Sequence, residues 1–212
     1  MTPASNNYIY GKQPFSVVSN DNVGVAKTAL YYSTDPEAPL ESWTLIDEHN
    51  GSSYSQNIDT TVMPNGVVYV VAKIYDAVGN FTYSPKQRYM CDNQGPEQVK
   101  NVKCIAVDGT TATLSWSDVS DDDISYFVVE CEQSDGAWKS VSRTSTNLGV
   151  NLSGLTPEHD YVYRVIGYDK RSNRGTPSEE IIVTTLKDTI CPKVTKITPD
   201  PGYFKSEINL RF

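Results

Sequence analysis

At 212 residues the chain is too long for one small β domain and long enough for two of about 100 residues each. A hydrophobic content of 38% and a charged content of 21% sit near the globular norm, which excludes disorder over the whole length. A net charge of −8 argues against a nucleic-acid or anionic-membrane surface, since both need concentrated Lys and Arg, and no apolar run approaches a membrane span.

Fourteen tyrosines against few Phe and Met suit strands more than helices. In chain order, short alternating runs are separated by turn residues, with almost nothing at helical period. A first strand is expected at 15–19, followed by a turn in "NDNVGV" (20–25). The next run, 26–34, puts Ala29 and Tyr31 on one face and Leu30 and Tyr32 on the other. "DPEAP" ends it, because two prolines do not fit a central strand. Further strands are predicted at 42–48, 54–60, 67–76 and 81–90, with turns at "NGSS", "MPNG" and "AVGN". "CDNQGP" (91–96) then punctuates the chain, and a second series follows at 99–107, 111–118, 125–133, 138–145, 148–154, 160–169 and 179–186.

Seven strands with turns every 8–12 residues or so describe a β-sandwich of immunoglobulin type. The ends repeat each other: Thr2-Pro3 meets Thr198-Pro199, Tyr8 meets Tyr203, Phe15 meets Leu210 and Val17 meets Phe212. The expected fold class is therefore all-β: two tandem immunoglobulin-like β-sandwiches plus a truncated start of a third. The boundaries are 1–91, 92–188 and 189–212, inside a longer array whose unit is about 195 residues. On this reading the first domain lacks its outermost strand and exposes a sheet edge, onto which the tail of a neighbour could dock. Residues 1–20 are polar, with neither the basic start nor the apolar centre of a signal peptide. The chain is thus expected to be cytoplasmic or a piece of something longer, and the repeat favours the piece.

The second series resembles a fibronectin type III domain over residues 96–187. "TATLSW" is similar to the second strand of that family, with Trp116 as its core tryptophan. "GLTPEHDYVYRV" resembles the family's tyrosine corner, built here from Leu155, Pro157 and Tyr161. "GYDKRSNRGTPSEE" resembles the loop into the last strand. The first series resembles, on "DNVGVAKTALYYSTD" and "NGVVYVVAKIYDAVGN", the bacterial Ig-like domains that alternate with fibronectin modules in surface proteins and secreted hydrolases. Both series share a phrase, "VVYVVAKIYDAVGN" paralleling "YVYRVIGYDKRSNRG". The resemblance implies an extracellular or cell-surface bacterial location.

Little in the sequence carries chemistry. No G-x-S-x-G, H-E-x-x-H or Walker loop is present, so no enzymatic activity and no cofactor are expected. His49 and His159 read as exposed turn residues. The run "DVSDDD" (118–123) has calcium-ligand types without their spaced pattern, and reads as a solvated, self-repelling loop. Cys91 and Cys191 fall in linkers, and Cys104 and Cys131 in strands, either as two core thiols or as a bridge. The three N-x-S/T sites arise readily by chance in so Ser/Thr/Asn-rich a chain. Surface-ligand candidates are the aromatics Trp43, Trp138 and Tyr32, which could stack on sugar rings. The basic turn residues Lys170, Arg171 and Arg174 could instead meet an acidic partner.

The function expected is that of a non-catalytic spacer, positioning neighbouring domains of the same polypeptide. The alternative is a binding module for a polysaccharide or for a host or surface protein, with neither nucleic acid nor membrane insertion involved.

Overall fold

The computed structural model describes residues 1–117, 119, 121–145 and 147–195. They form two β-sandwiches, each closed around its own core. In the first, β2 (Lys12–Val18) pairs antiparallel with β5 (Ser53–Asp59) as a two-stranded sheet. Period-two alternation turns Phe15 and Val17 inward from β2, and Tyr54 and Ile58 inward from β5. The facing sheet runs β1 (Tyr8–Ile9), β8 (Gln87–Cys91), β6 (Gly66–Asp76), β3 (Val25–Ser33), β4 (Thr44–Asn50), with β7 (Phe81–Tyr83) also on β6. β1 lies parallel to β8, and Thr2 bridges Ser16 on the outer side of β2.

The second sandwich sets β13 (Gly149–Ser153), β10 (Thr111–Ser115) and β9 (Lys103–Val107) against β12 (Trp138–Thr144), β11 (Ile124–Glu132), β14 (Asp160–Asp169) and β15 (Ile181–Thr184). Trp116 packs edge-on against Phe127 with ring centroids 5.6 Å apart, among Leu114, Val129, Tyr163 and Val165. Aromatic edge contacts of this kind add to the area the rings bury.

Several elements differ from the sequence expectation. The strand expected over 81–90 is two, because Pro85 has no N–H for the ladder. Ser84 fills the gap: its hydroxyl accepts from the Ala72 N–H at 2.9 Å while its own N–H donates to the Ala72 carbonyl at 2.8 Å. The second sandwich repeats the device beside Pro177, where Ser178 makes the same pair of bonds with Val165 at 2.9 and 2.8 Å. β15 accordingly starts at Ile181, two residues later than its predicted start at 179.

Cys91 is not a linker thiol. It closes β8, is 1% exposed, and belongs to the first core, with the Asn93 amide 3.2 Å from its sulfur. Burial pushes its thiol pKa upward. All four cysteines are free, so Cys104 and Cys131 stand as two thiols, the second buried and the first half-buried. Of the expected third domain, residues 196–212 lie outside the described residues, and 189–195 form no strand.

Candidate functional site

The phrase shared by the two halves is one turn built twice. At the end of β6, Asp76 Oδ1 accepts from the N–H groups of Val78 and Asn80, each at 2.9 Å, while Asn80 Nδ2 donates back to Asp76 Oδ2 at 2.7 Å. At the end of β14, Asp169 Oδ1 accepts from the N–H groups of Arg171 and Asn173, each at 2.8 Å, and Asn173 Nδ2 donates to Asp169 Oδ2 at 2.8 Å. The left-handed position is filled by Gly79 (φ 94°) in one and Ser172 (φ 66°) in the other. Asp side chains favour such turns by bonding backbone two residues on. The copies differ where it matters: Val78 is 80% exposed, whereas its counterpart Arg171 is folded into the boundary between the sandwiches.

Arg171 meets four partners there. Its Nε lies 3.2 Å from Asp92 Oδ2, in the link between the sandwiches, and its Nη1 lies 2.8 Å from Asp123 Oδ2, just before β11. Its Cζ stands 3.8 Å over the ring of Tyr8, on β1 of the first sandwich, and its backbone N–H is held by Asp169. The guanidinium side chain is only 15% exposed. Asp92, Asp123 and Asp169 each bring one carboxylate oxygen within 4.8 Å of the others, and the guanidinium bonds two of the three. Carboxylates gathered this closely resist joint ionisation. Burial, then the charge of Asp169, push the Asp92 carboxyl above its ordinary value, opposed by Arg171. Desolvation, then the hydrogen bond and charge of Asp121, push Asp123 up to about 6.

The link itself has no slack. Asp92 N–H donates to the Ile9 carbonyl at 3.0 Å, and Asn173 Nδ2 donates to the Asp92 carbonyl at 3.0 Å. Asn93 is stitched into the first sandwich: Oδ1 accepts from Gly11 N–H at 2.6 Å, Nδ2 donates to the Thr60 carbonyl at 3.1 Å, and its N–H reaches Asn65 Oδ1 at 2.6 Å. Gly95 then passes against the second turn so closely that a Cβ there would meet the Arg174 carbonyl at 2.3 Å. Gly175 answers it, with a Cβ position 2.5 Å from the Pro96 oxygen. Only glycine allows two backbones to approach this way.

The family model described as the fibronectin type III domain matches residues 97–184, the span of the second sandwich. The second sandwich is a fibronectin type III domain. No curated protein matches the sequence. Among solved structures, the chain is similar to the FN1–FN3 domains of chicken CNTN1, at 15% identity and TM-score 0.51, covering 87% of this chain and 64% of that one. It is also similar to a run of domains from titin, at 17% identity and TM-score 0.50, covering 86% and 62%. The chain thus spans less than two thirds of either structure, and the likeness speaks to a tandem sandwich fold alone.

Within the fibronectin domain, the Tyr161 hydroxyl accepts from the Thr156 N–H at 2.9 Å across the corner that holds Leu155 and Pro157. Trp116 is 5% exposed, with its indole N–H unpaired among the described residues. Fibronectin type III domains are generally non-catalytic. His159 packs edge-on to Tyr161 at 4.7 Å, and His49 sits 3.3 Å from the Gln56 amide.

The surface candidates do not converge. Trp43 is 5% exposed in the first sandwich, its indole N–H donating to the Ala38 carbonyl at 3.1 Å. Trp138 lies in the fibronectin domain, half-buried under the Arg164 guanidinium at 3.8 Å. Tyr32, back in the first sandwich, is half-buried, and its hydroxyl donates to the Val62 carbonyl at 3.3 Å.

Of the basic turn, Arg171 is folded into the boundary while Lys170 and Arg174 remain exposed. Lys170 donates to the Asp122 carbonyl at 3.1 Å, and Arg174 reaches Glu130 at 3.3 Å beside the Arg164–Glu130 pair at 2.7 Å. Arg171 and Arg174 meet carboxylates of the chain itself. The acidic run is corrected too: Asp123 faces a guanidinium instead of open solvent, while Asp118 and Ser120 lie outside the described residues. Asp92, Asp169, Asn173 and Tyr8 were not among the site candidates the sequence suggests, although the paired "YD" phrases pointed at the turn that holds Asp169 and Asn173.

Proposed function

We propose that this chain is a non-catalytic spacer in an extracellular or cell-surface bacterial protein, holding neighbouring domains of the polypeptide at a set orientation. The observation that carries it is the link at 92–96, where Asp92 is bonded to both sandwiches and Asn93 to the first. Domains joined by flexible linkers move independently by default. A link bonded at Asp92 and Asn93, with Gly95 and Gly175 closely apposed, removes that freedom and converts two small sandwiches into one lever. The extracellular and bacterial setting is supported by the resemblance of the first sandwich to bacterial Ig-like domains and of the second to modules common outside cells. No helix among the described residues is long and apolar enough to cross a membrane.

The test is amide ¹⁵N relaxation at neutral pH. Both sandwiches are expected to report one rotational diffusion tensor. Separate correlation times for the two would refute the spacer. A glycan and protein binding screen addresses the rival binding role, and saturable binding to either sandwich would favour it.

A further inference from the structure

The spacer leaves one matter open: the joint that stiffens it is assembled from groups that repel one another. Asp92 and Glu97 approach from the link, Asp121 and Asp123 from the loop before β11, and Asp169 from the end of β14. Facing them are the Arg171 guanidinium, the Lys170 ammonium on the Asp122 carbonyl, and the neutral ring of Tyr8. The cleft beside them, about 450 Å³, is lined by Tyr8, Asp92, Glu97, Asp121 and Asp123. The side chain of Arg171 is the cation that touches both the link and the fibronectin domain there.

We propose that Arg171 is the pin of a pH-sensitive joint: it holds the two sandwiches in one orientation at neutral pH by compensating carboxylates drawn from both sides, and proton uptake by Asp92 or Asp123 can stand in for it.

The proposal rests on the spacer role and adds its regulation. Without the guanidinium, closing the joint brings Asp92 against Asp123 and Asp169 with no buried counter-charge, so the open arrangement is favoured. The sign comes from what opening would remove: burial and the charge of Asp169 raise the proton affinity of Asp92, and burial and Asp121, with a smaller contribution from Asp92, push Asp123 up to about 6. The closed form binds more protons than the open one between the ordinary aspartate range and pH 6, so closure strengthens as pH falls through that window.

The natural comparison designs the variant. The matching turn of the first sandwich carries Val78 at the same place with its Asp–Asn bonds intact, so Arg171→Val removes the charge and leaves the turn a side chain it accepts.

The experiment measures amide residual dipolar couplings of the full chain at pH 7 and pH 5, fitting an alignment tensor to each sandwich. The wild type is expected to give one tensor at both pH values. Arg171→Val is expected to give two distinct alignment tensors at pH 7, as domains moving independently do, and to regain a single tensor at pH 5. The double variant Arg171→Val with Asp123→Asn is expected to regain it already at pH 7. Unchanged hydrogen-exchange protection in β10 and β14 confirms that each variant is folded. A single tensor for folded Arg171→Val at pH 7 would overturn the pin. Failure of both pH 5 and Asp123→Asn to restore it would overturn the charge account. Two tensors in the wild type at pH 7 would instead overturn the spacer role beneath both.

Discussion

The corner at the foot of the fibronectin domain offers a comparison in which two hydroxyls hold the same loop under different burial. Thr185 is 2% exposed; its hydroxyl donates to the Thr156 carbonyl at 2.6 Å and accepts from the His159 N–H at 3.0 Å. Tyr161 holds the same residue from the other side, its hydroxyl accepting from the Thr156 N–H at 2.9 Å where the bond is exposed. Replacing Thr185 with the equally sized Val creates no cavity, but it strands one carbonyl and one N–H in a part-buried place. At about 1–3 kcal/mol for each stranded group, discounted for partial access to water, the cost is about 2–3 kcal/mol. Tyr161→Phe strands one N–H that water can reach, so the cost is about 0.5–1.5 kcal/mol, the net worth of an ordinary hydrogen bond. For a domain of this size the first change lowers the melting temperature by roughly 10–20 °C and the second by no more than about 10 °C. A urea titration followed on amide resonances of β10 and β14 reads this domain apart from its neighbour. If Tyr161→Phe cost as much as Thr185→Val, or more, then burial of the bond would not be what sets its value, and the reasoning would fail.

Other outcomes follow from the same structure. Leu114→Ala, at a fully buried position, should cost about 2–5 kcal/mol in the fibronectin domain by the same titration. Gly95→Ala would force a methyl into the Arg174 backbone at 2.3 Å, and is expected to split the relaxation behaviour of the two sandwiches while each keeps its own stability. Of the 14 tyrosines, Tyr54, Tyr89 and Tyr163 should be missing from a phenolate absorbance titration through the ordinary range near pH 10, because burial raises all three. Tyr89 is pushed up to about 12; since its folded value exceeds the unfolded one, the stability it contributes is complete below about pH 10 and is lost as pH rises through 12. A thiol reagent should label exposed Cys191 at once and reach Cys91 and Cys131 only on unfolding; four titratable thiols in denaturant check that no bridge is present.

What could be read in the sequence was whatever is local or periodic. Alternation placed Phe15, Tyr54, Val129 and Val165 in strands because a strand exposes its burial pattern every second residue. The Trp116 strand and the Tyr161 corner were legible as motifs because each is a short, contiguous piece of chain. Ser84 and Ser178 were not, since a hydroxyl that replaces a ladder bond leaves no periodic trace. Cys91 was misplaced for a related reason: the Gly-Pro punctuation that follows it marks the link, but the core extends to the residue before. The charge runs misled most. Counted along the chain, 118–123 is a repelling loop and 169–175 a basic tip, and each alone invites solvent or a foreign partner. Fold topology instead delivers both to the same end of the fibronectin domain, where Arg171 and Asp123 meet at 2.8 Å across 48 residues.

The two copies of the Asp–Asn turn show how little local change such a joint requires. Their backbones are held by matching sets of bonds, so the difference between an exposed tip and a buried pin lies in one side chain, Val78 in the first and Arg171 in the second. A turn fixed by its own Asp and Asn is insulated from what the intervening residue does, which leaves that residue free to be chosen by whatever lies opposite. Opposite Arg171 lie Asp92 and Tyr8. On the proposed reading, one replaceable side chain on a matching turn helps set the orientation of this pair, and exchanging Val78 and Arg171 should loosen the joint without unfolding either sandwich, a result visible as two correlation times where the wild type has one.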